Sequence, residues 1–185
     1  GFLTKFWLFS ERLRYWRQVF YLDFDFIVQD DLHRVFSQLD EAEPLPDGTK
    51  PIIADREDVT ALQTWQRTAD KAGGHAALMR ELVQEYPHVQ ERFWNTAFLL
   101  FEPASIPFGT VASLVAFQGR FQATNDRQHG GTDQEIIHSV LYDRFRMVRE
   151  KTFCYFGIDT PRHRGPSESR GFKGEEFPVA VHYCR

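Results

Sequence analysis

The chain has 185 residues and a formal net charge of −4, with 42% apolar and 15% aromatic residues, 18 of them Phe. That acidic balance offers no electrostatic footprint for nucleic acid or an anionic membrane, and no apolar run approaches the roughly 20 residues of a membrane-spanning helix. The length suits a single domain, 1–185, burying about 70% of its unfolded surface.

The opening residues Gly1 to Lys5 lack the apolar core and cleavage site of a secretory signal. Phe2, Phe6, Phe9, Leu13 and Trp16 recur at three- and four-residue intervals, which predicts an amphipathic helix over 2–17. An apolar strand follows at 18–24, and Phe26-Ile27-Val28 reads as its continuation. Residues 30–36 suggest a short helix with Asp30 and Asp31 in its first turn. Pro44, Pro46, Gly48 and Pro51 mark a loop over 40–51, and a short strand is expected at 51–54.

The pattern over 57–86 is helical, interrupted at Gly73-Gly74 and stopped before Pro87. Residues 93–101 form a second apolar strand closed by Glu102-Pro103. Helices are expected near 107–119 and from Asp133 to about Arg144, a Pro-, Gly- and Ser-rich loop over 160–176, and a last strand at 179–182. Strands alternating with helices and no repeat predict an α/β layered fold. Cys154 and Cys184 are too few for a disulfide framework and read as free thiols.

The chemistry-bearing residues lie at the ends of these elements. Asp23 and Asp25 leave the strand 18–24 two residues apart, and so on one face. Two close like charges call for a cation or strong donors between them. At the carboxyl end of an α/β strand, where ligands bind, a divalent cation holding a phosphate accounts for the pair. The plainer alternative is two acids capping a strand.

Thr132 and Glu135 form a capping box that starts a helix, which leaves Asp133 and Gln134 in its first turn beside free backbone N–H groups. His182 closes the last strand, and its imidazole suits Mn²⁺ better than Mg²⁺. Asn95 and Thr96 open an apolar strand and need hydrogen-bond partners, which a sugar hydroxyl or a neighbouring backbone supplies. His129, His138 and His163 have no ligand spacing, and His33 and His88 read as surface residues.

In this order the motifs resemble family 8 of the retaining glycosyltransferases, the group of glycogenin and the lipopolysaccharide galactosyltransferases. Lys5 precedes an aromatic helix, as in the family's Thr-Lys helix, and Val19 to Val28 resembles its D-x-D strand. Asp31-Leu32-His33-Arg34-Val35-Phe36 resembles the turn that follows it. Trp94 to Leu100 resembles the F-N-[ST]-G strand, Gly131 to Ile137 the G-D-Q segment, and Val181-His182-Tyr183 the closing His motif.

The resemblance implies a nucleotide-diphospho-sugar transferase fold: a Rossmann-like α/β/α sandwich around a mixed sheet, here without the family's N-terminal strand and helix. It implies a hexosyltransferase that moves a sugar from a UDP-sugar to a carbohydrate or glycoconjugate acceptor with retention. Mn²⁺, with Mg²⁺ as the alternative, would be held by Asp23, Asp25 and His182. Lys5 would lie near the donor, Asn95 and Thr96 near the transferred sugar or acceptor, Asp133 at the sugar hydroxyls, and Gln134 near the anomeric carbon.

Three departures stand out. Ala97 replaces a Gly, His138 an Asn, and Arg185 stands where a Gly leads into Lys-Pro-Trp, so the resemblance implies a fragment. A cytoplasmic or Golgi-lumenal setting is compatible with it. Two other readings compete: a haloacid-dehalogenase-like, Mg²⁺-dependent phosphatase built on Asp23 and Asp25, and a non-catalytic carbohydrate-binding relic of the fold. The first leaves Asn95, Gln134 and His182 without a role.

Overall fold

Alternation along two apolar strands divides the molecule into two cores. The computed structural model describes residues 2–24, 26–28, 31–63, 76–122, 133–148, 153–157 and 180–184. Among them are strands β1 (Val19–Leu22), β2 (Phe26–Val28), β3 (Ile52–Thr60) and β4 (Arg92–Phe101). Strands β5 (Phe145–Met147), β6 (Phe153–Gly157) and β7 (Ala180–Cys184) follow. The α-helices are α1 (His33–Glu41), α2 (Ala76–Glu85), α3 (Thr110–Gln122) and α4 (Asp133–Leu141).

A four-stranded sheet runs β1-β4-β3-β5, antiparallel except for the parallel β3–β5 pair, and a second sheet runs β2-β7-β6. Val19, Tyr21, Ile52, Ala54, Leu99 and Phe101 pack on one face of the first sheet with Phe6, Phe9, Leu82, Leu114 and Ile136. Phe20, Leu22, Ile53, Phe98 and Leu100 pack on the other with Val35 and Leu39 of α1. Helical structure therefore covers both faces, as the expected α/β/α layering requires.

Several elements differ from the sequence expectation. The stretch 2–17 is not one α-helix: it winds as 3₁₀-helix over Phe2–Phe9 and Glu11–Leu13. Phe6 and Phe9, both 2% exposed, are three apart and so fall on one side of a three-residue turn. Ser10 splits the two pieces because its backbone is extended (φ −70°, ψ 140°) and its Oγ accepts from Arg12 N–H. Nor does β2 prolong β1: a turn closed by Phe26 N–H to Asp23 O sends it into the second sheet.

Strand β3 runs on to Thr60, through residues 57–60 that were expected to be helical. Pairing with β4 at Arg56–Trp94 and Thr60–Arg92 outweighs the weak local preference of Arg56-Glu57-Asp58. Helix α1 starts at His33, and Asp31 lies outside it as an acceptor for His33 N–H at 2.8 Å. Its far end is closed by Lys50 Nζ, which donates to the carbonyls of Asp40 and Ala42. Strands β5 and β6 were not anticipated, although Phe153-Cys154-Tyr155-Phe156 of β6 is an aromatic run of strand type. The Gly73-Gly74 break, the loop 160–176 and Thr132 of the capping box lie outside the described residues.

In the parallel β6–β7 pair Cys154 stands opposite Val181 and Cys184 opposite Gly157. Three residues of offset separate their Cα atoms by about 10 Å along the strands, beyond the roughly 7 Å limit of a disulfide. The two cysteines do not pair with each other. Thiol titration of unreduced, denatured monomer is expected to find both groups reactive.

Phe98 is fully buried, with its ring 5.3 Å from that of Phe20 and steeply tilted to it. Phe98→Ala is expected to lower stability by about 3–5 kcal/mol, read as a shift of the urea midpoint.

Candidate functional site

Where β1 ends, Asp23 continues its alternation onto the face that carries Tyr21 and the 3₁₀-helix 2–9. Lys5 reaches it from that helix, which the buried rings of Phe6 and Phe9 anchor along one side. Its Nζ lies 3.2 Å from Asp23 Oδ1 and 3.3 Å from Asp23 Oδ2. The same ammonium lies 2.9 Å from Asp133 Oδ2 and donates to Thr96 Oγ1 at 3.3 Å. Residues 5, 23, 96 and 133 thus meet at one nitrogen.

Asp133 opens α4, where its carboxylate is favoured by unpaired N–H groups of the first turn. The buried Ile136 and Ile137 anchor that helix against the core and so aim its start at Lys5. A second device is a bulge in β4. Between the pairs Ile53–Leu100 and Asp55–Asn95, β3 advances two residues while β4 advances five. Asn95 Oδ1 stabilises the bulge by accepting Ala97 N–H at 2.7 Å, and the Ala97 carbonyl accepts Asp23 N–H at 2.9 Å. The backbone hydrogen bond of Ala97 therefore sets the height of Asp23.

The side chains of Lys5 and Asp133 are each 11% exposed and that of Asp23 is 27% exposed. Two carboxylates and one ammonium leave the trio one unit negative. Three protons on Nζ meet oxygens of Asp133, Asp23 and Thr96. Lys5, expected beside the donor, is here the internal bridge between two acids.

Other predicted residues stand in different positions. Asp25 lies outside the described residues, as does the His182 side chain. The backbone of His182 stands opposite Phe26 and beside Tyr155, three residues along the chain from Asp23. Among the described residues no three His, Cys, Asp or Glu side chains gather as a metal-holding group. Asn95 and Thr96 are both buried at the bulge; Thr96 Oγ1 meets Lys5, whereas Asn95 Oδ1 is engaged with Ala97 N–H. Gln134 follows Asp133, and its Oε1 is shut away from solvent with no hydrogen-bond partner. An unsatisfied buried acceptor of this kind marks a place where a donor group belongs.

His138 is a core residue. Its Nδ1 accepts Trp94 N–H at 3.3 Å, which leaves the proton on Nε2, facing the His88 carbonyl at 3.3 Å. His88, expected at the surface, is half-buried instead: it stacks on Tyr142 at 4.4 Å and its Nε2 lies 3.0 Å from Ser139 O. His33 is exposed as expected.

Two residues escaped the sequence analysis. Tyr21 Oη donates to Asp23 Oδ1 at 2.6 Å. Asp55, 9% exposed, follows the apolar run Ile52-Ile53-Ala54 and pairs with Asn95 across the sheet. The signals existed: Tyr21 is two residues from Asp23, and Asp55 ends an apolar run much as Asp23 does.

With that geometry in place, comparison with known proteins is informative. No family model and no curated protein matches the sequence. Solved glycosyltransferase structures share its fold. The WbbM bifunctional glycosyltransferase, in apo form, aligns over 100% of this chain and 31% of its own at TM-score 0.62 and 18% identity. The galactosyltransferase LgtC, in complex with donor and acceptor sugar analogues, aligns over 99% of this chain and 58% of its own at TM-score 0.53 and 15% identity. Mouse xyloside xylosyltransferase 1, in apo form, aligns over 98% and 62% at TM-score 0.52 and 15% identity.

The chain spans between about a third and three fifths of these proteins. Its fold is the glycosyltransferase α/β fold that the motif order implied.

Removing Lys5 leaves two partly buried carboxylates without their counter-ion. Lys5→Met is expected to cost about 3 kcal/mol in urea unfolding, and adding Asp133→Asn to it is expected to restore part of that loss.

Proposed function

We propose that the protein is a retaining, divalent-cation-dependent glycosyltransferase that moves a hexose from a UDP-sugar to an acceptor hydroxyl on a carbohydrate or glycoconjugate. The observation that carries this reading is the meeting of Lys5, Asp23, Thr96 and Asp133 on a fold shared with solved glycosyltransferases. LgtC, one of these, is recorded with donor and acceptor sugar analogues.

Asp23, Asp25 and His182 are the residues that would hold Mn²⁺. Two carboxylates and an imidazole suit that ion, and the β2–β7 register brings His182 beside the residue that follows Asp25. Mg²⁺ would favour an all-oxygen set. When bound, the cation supplies Lewis-acid neutralisation of the diphosphate.

The protein's own groups do the remainder. Asp133 accepts from donor-sugar hydroxyls, and Lys5 holds its carboxylate in place. Gln134 is assigned to the neighbourhood of the anomeric carbon, and its buried carbonyl oxygen has an unused acceptor site. The acceptor oxygen bonds the anomeric carbon as the carbon–oxygen bond to phosphate breaks. The electron pair leaves with UDP, and the acceptor proton passes to the departing phosphate on the same face. A neutral amide is a poor nucleophile, so a covalent glycosyl–Gln134 intermediate has no part in this scheme.

The test is UDP release from a panel of UDP-hexoses with and without Mn²⁺. Release is expected with one or a few donors, to stop on chelation, and to fall about 10²-fold in kcat/KM in Asp133→Asn. Phosphomonoester hydrolysis without a sugar nucleotide would instead assign the phosphatase chemistry. The absence of both activities would assign a binding relic.

A further inference from the structure

The Asp23 carboxylate has a neutral donor besides Lys5. Tyr21 Oη donates to Asp23 Oδ1 at 2.6 Å, closer than Lys5 Nζ lies to either oxygen of that carboxylate. The same ring lies 5.4 Å from Lys5 Nζ, within reach of a cation–π contact. One side chain therefore touches both members of the ion pair.

Tyr21 is itself rigidly set. It is half-buried in β1, its backbone pairs with Leu99, and it packs against the core that holds Phe9 and Phe101. Asp23, by contrast, has left the strand and stands in the turn to β2, held by Ala97 through its backbone alone. A carboxylate in that position turns freely about two side-chain torsions unless something grips an oxygen. The ammonium alone does not choose an orientation, because it lies at nearly equal distances from both oxygens. The tyrosine hydroxyl does, since it holds Oδ1.

We propose that Tyr21 is a positioning residue: its hydroxyl pins Oδ1 of Asp23, so that the carboxylate meets the donor–cation complex already oriented. This rests on the glycosyltransferase reading of the site. A charge-assisted hydrogen bond lost without replacement corresponds to about a tenfold change in the equilibrium it supports.

The experiment uses the full chain, Tyr21→Phe and Mn²⁺ alone as the probe, with Kd from water-proton relaxation. Tyr21→Phe removes one oxygen, keeps the ring under Lys5 and should lower the thermal midpoint by only about 3–5 °C, leaving the chain folded. Its Kd for Mn²⁺ is expected to rise about tenfold, with KM for the UDP-sugar rising more than kcat falls. An unchanged Kd beside a parent that binds Mn²⁺ would overturn the proposal.

A urea-unfolding cycle of Tyr21→Phe and Asp23→Asn separates this from the functional reading. If the parent binds no Mn²⁺, the metal assignment falls. Tyr21 is then judged by the cycle: about tenfold coupling in the unfolding constant sustains it as the residue that sets Asp23, and additivity overturns it.

Discussion

The site depends on one ammonium shared by two acids. Asp23 comes from the end of a strand and Asp133 from the start of a helix, 110 positions apart, and Lys5 holds both. Without the cation, two like charges in a largely buried space would repel and separate. With it, the tip of β1, the first turn of α4 and the N-terminal 3₁₀-helix are tied at a single point. The trio remains one charge negative, which suits a site proposed to receive a divalent cation and a phosphorylated donor.

Backbone devices set the geometry that the charges then exploit. The bulge in β4 places Thr96 against Lys5 and turns the Ala97 carbonyl to Asp23 N–H. The turn after Asp23 passes the chain from the four-stranded sheet to the three-stranded one, so the acid sits at a junction between sheets. That junction is where β7 brings His182 alongside. A bulge and a change of sheet interrupt the ladder there and re-aim the side chains that a continuous ladder would hold in alternation.

Much of this was legible in the residues. Unbroken apolar runs identified β1 and β4, because a strand covered on both faces has no polar side to alternate with. Asp23, Thr96 and Asp133 were singled out from their positions at element ends, and Lys5 through the family resemblance alone. The 3₁₀ winding of 2–9 was not legible, since Phe6 and Phe9 fit either helix and Ser10 decides only through its backbone. Strand β3 was half hidden for a different reason: Arg56, Glu57 and Asp58 carry no strand signal, and pairing with β4 at Arg56 and Thr60 overrides them.

His88 was misread because a lone histidine beside Pro87 looks solvated, and only the approach of Tyr142 and Ser139 buries it. The amino-acid sequence by itself determined the alternation of layers, the elements that carry acids at their ends, and the order of motifs shared with a glycosyltransferase family. Those are properties of neighbours along the chain, where side-chain spacing and backbone preference act directly. Only the tertiary structure decided that Lys5 bridges two carboxylates instead of reaching outward, that Tyr21 grips Asp23, and that Asp55 faces Asn95. Each of these joins residues through register, bulge and helix docking, which set distances no local pattern encodes.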